Sequence, residues 1–331
     1  MRVGMNPQKK SKKLKLKSSH RLIIVVFIPS LEGYYKNVLE VFKLCLESAI
    51  VTTNSNCAIT VVNNASCAEV TDYLKLKLDE NKIDTVVYHK NNIGKIDALI
   101  GAARASREPL ITISDVDILY KLGWQNDVED IFEKVKDVAS VSPIPCRQFY
   151  NYETSSTMSK ILMGKVKFKA QVIPENHEDQ NRYLDSFNWE REEENVKWPT
   201  IKSNGIKAIM GSGHQVLSMR RALFFESVPL EPSFTLVGNY SEGTYCDKPI
   251  NNSGGMRLAT YFNRAYHMGN QIEPWMEKVQ NYNLANSNQT SKDDVFKKYL
   301  PFHPKRRNRF WYPYTSKLSK ILFNIFYRYK L

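Results

Sequence analysis

Leu110-Ile111-Thr112-Ile113-Ser114-Asp115-Val116-Asp117 is the stretch on which the reading of this chain turns. Its apolar and β-branched opening suits a short strand buried on both faces of a parallel sheet, and it stops on two carboxylates spaced i and i+2. Past a strand end that spacing points both acids the same way, where like charges repel unless a cation or hydrogen-bond donors compensate. A hard divalent ion bound with a diphosphate is the natural counterpart, because Mg2+ or Mn2+ takes one or two carboxylates plus phosphate oxygens. Acidic pairs also occur by chance on solvated turns. The buried strand before this one is what gives it weight.

The same strand signal repeats upstream. Residues 22–28, 58–62 and 85–88 read as strands, and apolar stripes at helical spacing occupy 38–50, 70–78 and 96–105. This alternation predicts β-α-β units with right-handed crossovers and an α/β, doubly wound, mostly parallel sheet. Such sheets bind ligands beyond the carboxyl ends of their strands. The polar segments 29–32, 63–66, 91–95 and 115–117 all fall at that edge. Downstream, 138–142 reads as a fifth strand, 171–200 as a long acidic loop or lid, 215–219 as a strand and 256–264 as a helix. Loops at 211–214, 238–249 and 254–255 complete an acceptor side, with His214 lining the cleft.

With 331 residues, 42% of them hydrophobic and 24% charged, the chain has the composition of a folded protein rather than a disordered or collagen-like one. The five cysteines are odd in number and none forms a C-x-x-C pair, so neither a disulfide framework nor a structural zinc site is expected. The longest apolar run, 22–29, is far short of the ~20 residues of a membrane span, and it makes a poor signal peptide. The expected location is cytoplasmic. The net charge of +13 sits at the ends: residues 1–21 hold eight Lys and Arg, residues 297–331 hold ten, and neither stretch holds an acid. The body between them is acidic, so no nucleic-acid partner is expected. The N-terminal stretch reads as a flexible basic arm. In the C-terminal one, Leu318, Ile321, Leu322, Ile325, Phe326 and Tyr329 fall at helical spacing among basic residues, with Trp311, Tyr312, Tyr314, Phe323 and Tyr327 as interface-seeking aromatics. That basic amphipathic helix either docks on the body or adsorbs to an anionic membrane surface, which would make the protein peripheral at the inner face of the cell membrane.

The strand ending at Pro29, the turn Val62-Asn63-Asn64-Ala65-Ser66, the segment Asn92-Ile93-Gly94-Lys95 and the motif Ser114-Asp115-Val116-Asp117 together resemble the GT-A fold of the family-two glycosyltransferases. The resemblance covers about residues 22–269. It implies a nucleotide-sugar-binding half (22–145), an acceptor-binding half (146–275) and a basic C-terminal extension (276–331) after the tail (1–21). It implies that Pro29, Ser30, Glu32, Asn64, Lys95, Asp97, Asp115 and Val116 contact the donor, a UDP-sugar first among nucleotide-diphosphate sugars. Asp115 and Asp117 would bind the Mn2+ or Mg2+ cofactor, with His267 as a further metal ligand or diphosphate contact. The family reaction is inverting displacement by an acceptor hydroxyl, here of a glycan or lipid-linked glycan, and it needs a carboxylate base. Asp247 is the first choice for it and Glu242 the alternative. The second-strand turn carries asparagines where the family usually carries an aspartate, which implies neutral hydrogen bonds to the base.

Two other readings compete. A nucleotidyltransferase making the nucleotide sugar would share the sheet and the carboxylates, but it usually needs a Gly-rich basic loop after the first strand, and 29–34 is not one. A non-enzymatic basic membrane- or nucleic-acid-binding protein would rest on the two ends alone. No G-x-x-x-x-G-K-[ST] loop, G-x-G-x-x-G turn or G-x-S-x-G elbow is present.

Overall fold

The computed structural model describes residues 3–10, 13–287, 296–304 and 312–329. Lys12 of the basic arm, Trp311 and Lys330 lie outside the described residues. The first half alternates β1 (His20–Val26), α1 (Val38–Thr52), β2 (Cys57–Asn64), α2 (Ala68–Asp79), β3 (Thr85–His89), α3 (Lys95–Ala105) and β4 (Leu110–Ser114). It continues through β5 (Ile118–Tyr120), α4 (Trp124–Lys134) and β6 (Val138–Ser142). The second half adds α5 (Ser155–Leu162), β7 (Lys167–Val172), α6 (His177–Asp185), β8 (Lys197–Ser203), β9 (Ile206–Met210), β10 (Val216–Arg220) and α7 (Leu223–Glu226). After these come α8 (Lys248–Asn252), β11 (Met256–Thr260), β12 (Ala265–His267), α9 (Pro274–Asn286) and α10 (Tyr312–Tyr327).

Ten strands form one sheet in the order β3-β2-β1-β4-β10-β6-β11-β9-β8-β7. β3, β2, β1 and β4 run parallel, as the upstream pattern predicts, and β10 enters antiparallel between β4 and β6. The two-residue period of β1 divides the core. Leu22, Ile24 and Val26 pack with α1, α2 and α4, while Ile23 and Val25 pack with Ile96, Leu99, Ile100 and Ala103 of α3.

Several expectations are corrected. β1 begins at His20, two residues early, because the sheet supplies partners for its polar residues. His20 is bonded by Glu129 (2.9 Å) and Thr112 (2.6 Å), and Arg21 is forked by Glu108 (2.7 and 2.9 Å). Residues 171–200 are no open loop: α6 and the start of β8 occupy much of the segment. Residues 256–260 form a strand rather than a helix, buried throughout because β6 and β9 flank it. A short apolar run buried on both faces lacks the alternation that would have marked it. The loop expected at 238–249 contains a helical turn, Gly243–Asp247, that leads into α8.

The C-terminal extension packs on the body at three places. On α9, Asn283 Nδ2 donates to Tyr120 O (2.8 Å). In 296–304, Lys297 N donates to Ser19 Oγ (3.2 Å) and Leu300 N to Phe132 O (3.1 Å). At the end, Phe323 and Tyr329 are buried, and both rings meet Phe168 of β7. The helix therefore docks through one face. Leu318, Ile321, Ile325 and Phe326 stay exposed on the rest of it. Among the described residues no helix is long and apolar enough to cross a membrane.

Candidate active site

The carboxyl ends of β1, β2 and β4 open onto a cavity of about 480 Å3 lined by Asn64, Lys95, Asp115, Val116 and Asp117 among others. Two backbone contacts set the acids. Asp115 N donates to Gln215 O (2.7 Å), and Met268 N donates to Asp117 O (2.8 Å). β12 pairs antiparallel with β5, His267 facing Ile118, and this register brings a residue about 150 positions away to the acidic pair. His267 Nε2 stands 3.2 Å from Asp117 Oδ2. Its Nδ1 meets Ser186 Oγ (3.1 Å), and its ring stacks on Phe187 at 4.8 Å. Burial opposes charge on this imidazole, but Asp117 and then Asp115 outweigh it, and the pKa is raised. An imidazole nitrogen and a carboxylate oxygen presented together suit a borderline divalent ion such as Mn2+. Among the described residues no three His, Cys, Asp or Glu side chains are gathered for a metal, so the remaining coordination would fall to diphosphate and water.

Asp115 is engaged differently. Its Oδ1 lies 2.7 Å from Lys95 Nζ, and the same ammonium is 3.6 Å from Glu242 Oε1. Burial pushes the Asp115 carboxyl up, Lys95 pulls it back, and the like charge of Asp117 adds to the rise, which wins. For Lys95, burial works against the charge, yet Asp115, Glu242 and Asp117 raise the pKa overall. One cation thus ties Asp115 to Glu242.

The other residues named from the sequence divide between the cavity and its surroundings. Pro29, Ser30 and Glu32 are exposed and do not line the cavity; Val25, Phe27, Tyr34 and Tyr35 of the same stretch do. Asn64 spends its amide on the neighbouring turn, donating to Asn92 Oδ1 (2.8 Å) and accepting from Ile93 N (3.1 Å). Asp97 accepts from Ser233 N, Ser233 Oγ and Phe234 N (2.7 to 3.0 Å), which anchors the loop carrying the cavity residues Leu236 and Val237. Gly94, at φ +93°, lies against Thr235 of that loop with no room for a Cβ. Exposed tyrosines after a glycine were the available signal for the aromatic wall. Nothing local marks the 233–237 loop.

Asp247 is fully buried. Its Oδ1 accepts from Arg257 Nη2 (2.8 Å) and its Oδ2 meets His214 Nδ1 (3.0 Å). Burial favours the neutral acid, but Arg257 and His214 prevail and the pKa is lowered. Both oxygens of this carboxylate are thus engaged within the protein, and Asp247 is not among the residues that line the cavity. Arg257, on β11 and also fully buried, donates from Nε to Ser212 Oγ (3.3 Å), so it holds the loop before His214 as well as Asp247. Gly211 begins that loop at φ +104°, where a Cβ would lie 2.6 Å from Phe149 O.

Residues 26–190 match the sequence model of glycosyl transferase family 2. That match takes in just under half of the chain. The fold around it is α/β, built on one mixed ten-stranded sheet. Among solved structures it is similar to TarS 1–349 of S. aureus in complex with UDP: 11% identity, 81% of this chain, 66% of that one, TM-score 0.42. It is also similar to the mannosyltransferase PcManGT of Pyrobaculum calidifontis in complex with GDP-Man and Mn2+: 13% identity, 92% and 74% of the two chains, TM-score 0.43. A third is GalNAc-T7 with UDP, GalNAc and Mn2+, at 16% identity, 95% and 55% coverage and TM-score 0.44. The chain spans less than two thirds of the first and third of these. No curated protein matches the sequence.

Proposed function

We propose that this glycosyltransferase moves a sugar from a nucleotide-diphosphate donor, a UDP-sugar first, to a hydroxyl of a glycan or lipid-linked glycan, with inversion and with a divalent metal. The observation that carries the reading is the meeting of Asp117 Oδ2 and His267 Nε2 at 3.2 Å beside a cavity that also holds Asp115 and Lys95. Asp117 and His267 would hold the ion, which supplies charge neutralisation of the departing diphosphate. Lys95 holds Asp115 in place and adds positive charge beside it. Phe27, Tyr34 and Tyr35 give the nucleobase an apolar wall, and Val116 lines the same cavity. In this reading residues 22–145 bind the donor and 146–275 receive the acceptor, whose proton passes to the cluster of Glu242, His214 and Asp247. The test is nucleoside diphosphate release across a panel of UDP- and GDP-sugars with Mn2+. Release that persists in excess EDTA would sink the metal assignment, and no release with any donor would sink the reading.

A lipid-linked acceptor also requires a way to meet the membrane from its cytoplasmic side. Exposed Leu318, Ile321 and Ile325 share one face of α10, Phe326 adjoins it, and Lys317 and Arg328 flank it. The neighbouring edge strand adds exposed Lys167 and Lys169, and β8 adds Lys202. Basic charge of this kind contributes about 1 kcal/mol per residue near an anionic surface. Because Phe323 and Tyr329 are core, removing the helix would damage the fold, so the proper variant is Ile325→Asp/Phe326→Asp. It should lose co-sedimentation with phosphatidylserine vesicles while keeping its thermal midpoint. Unchanged sedimentation would refute the membrane role.

A further inference from the structure

Two residues named from the sequence for different tasks form one unit. Asp247 is kept ionised by Arg257, so it accepts a hydrogen bond and His214 Nδ1 must carry the proton. That fixes the tautomer and leaves a lone pair on Nε2, which makes no hydrogen bond among the described residues. The His214 side chain is 29% exposed, whereas Asp247 is 0%. The ring sits just before β10, next to Gln215, whose carbonyl receives Asp115 N. Arg257, Asp247 and the loop 211–214 therefore aim an imidazole at the end of β4.

Glu242 is the competing group. It is spent on its surroundings: Lys95 stands 3.6 Å away and Ser241 Oγ donates to it at 3.0 Å. Although burial opposes ionisation, Lys95 carries the carboxyl below its usual range, which makes it a weak proton acceptor.

Resting on the sugar-transfer reading, we infer that His214 is the catalytic residue that takes the acceptor's proton, with Asp247 as its positioning residue. The acceptor oxygen's lone pair forms the new bond to the anomeric carbon. The bond from that carbon to the diphosphate oxygen breaks, and its electron pair leaves with the nucleoside diphosphate. The hydroxyl proton goes to His214 Nε2. The imidazolium so formed is stabilised by Asp247 and returns the proton to solvent.

Donor hydrolysis tests this, since water takes the acceptor's place. With the sugar nucleotide that the panel selects, His214→Gln should lower kcat about 100-fold or more while KM stays within about threefold. Glu242→Gln should act mainly on KM, through Lys95. If Glu242→Gln instead loses kcat at constant KM and His214→Gln retains it, the assignment is overturned. The tautomer is a separate readout. In 15N-edited imidazole spectra of the full chain, His214 should be the Nδ1–H form and should lose that preference in Asp247→Asn. An Nε2–H form in the wild type overturns the dyad whether or not any donor turns over, whereas absence of all turnover with an Nδ1–H imidazole counts against sugar transfer instead.

Discussion

At the end of β4, Asp115 and Asp117 stand where one strand puts them, two residues apart on a continuous backbone. Next to it, His214, Asp247 and Arg257 come from a loop, a helical turn and a strand, and they meet only once β10 and β11 are in the sheet. Asp115 and Asp117 keep a little exposure and line the cavity, while the pair Asp247–Arg257 is sealed from water. Local sequence can build the first arrangement. The second exists only as tertiary structure, and its charges depend on one another for their stability.

The contrast can be broken at its most buried point. Arg257→Met strands the Asp247 carboxylate in the interior, and urea denaturation should show a loss of about 3–5 kcal/mol. A loss under about 1 kcal/mol would mean that the acceptor side is not held by this pair. The donor side answers to function instead: Asp117→Ala should fold normally yet lower Mn2+-dependent UDP affinity by about 100-fold, measured by titration calorimetry. Equal affinity with and without the substitution would remove Asp117 from the ion.

Acid separates structural from functional charge within the first half. Burial opposes ionisation of Glu108, but Arg21 and Ser18 hold its pKa down to about 2. A depressed carboxyl stabilises the fold above its unfolded pKa and ceases to do so as pH falls through the folded one. The wild type should thus exceed Glu108→Gln by about 2 kcal/mol at pH 6, and the margin should shrink between roughly pH 4.5 and 2. A margin independent of pH would show that the Arg21 fork contributes only through packing. The smallest effect joins the two halves: Ser186→Ala removes the partner of His267 Nδ1 and should weaken Mn2+ affinity about tenfold with little change in stability. No change would mean that Phe187 stacking alone orients the ring.

Much of the first half was readable because its signals are local. A buried strand followed by two acids needs no distant partner to be recognised, and Lys95, Asp115, Val116 and Asp117 do line one cavity. Asn64 lines that cavity too while its amide is engaged by the turn at 92–93, whereas Asp97 is taken up by the loop 233–237. β11 was mistaken for a helix because burial on both faces erases the two-residue period. Arg257 escaped notice for the same reason: its partner, ten residues back, is defined by the sheet and not by spacing.

The seam between the ends of the chain governs when this molecule can finish folding. Ser19, just ahead of the first strand, receives Lys297 N across 278 residues, and Tyr329 OH donates to Lys197 O across 132. Contacts of such separation pay their loop-closure entropy late, so they belong to the slow steps of folding. During synthesis at about 5–20 residues per second, the flank of β1 waits many seconds for the segment that covers it. Phe168 on the edge strand likewise waits for Phe323, which follows it in the chain and packs against it. Until then a sheet edge is open, and the charge of Lys167 and Lys169 on it works against edge-to-edge pairing of nascent copies.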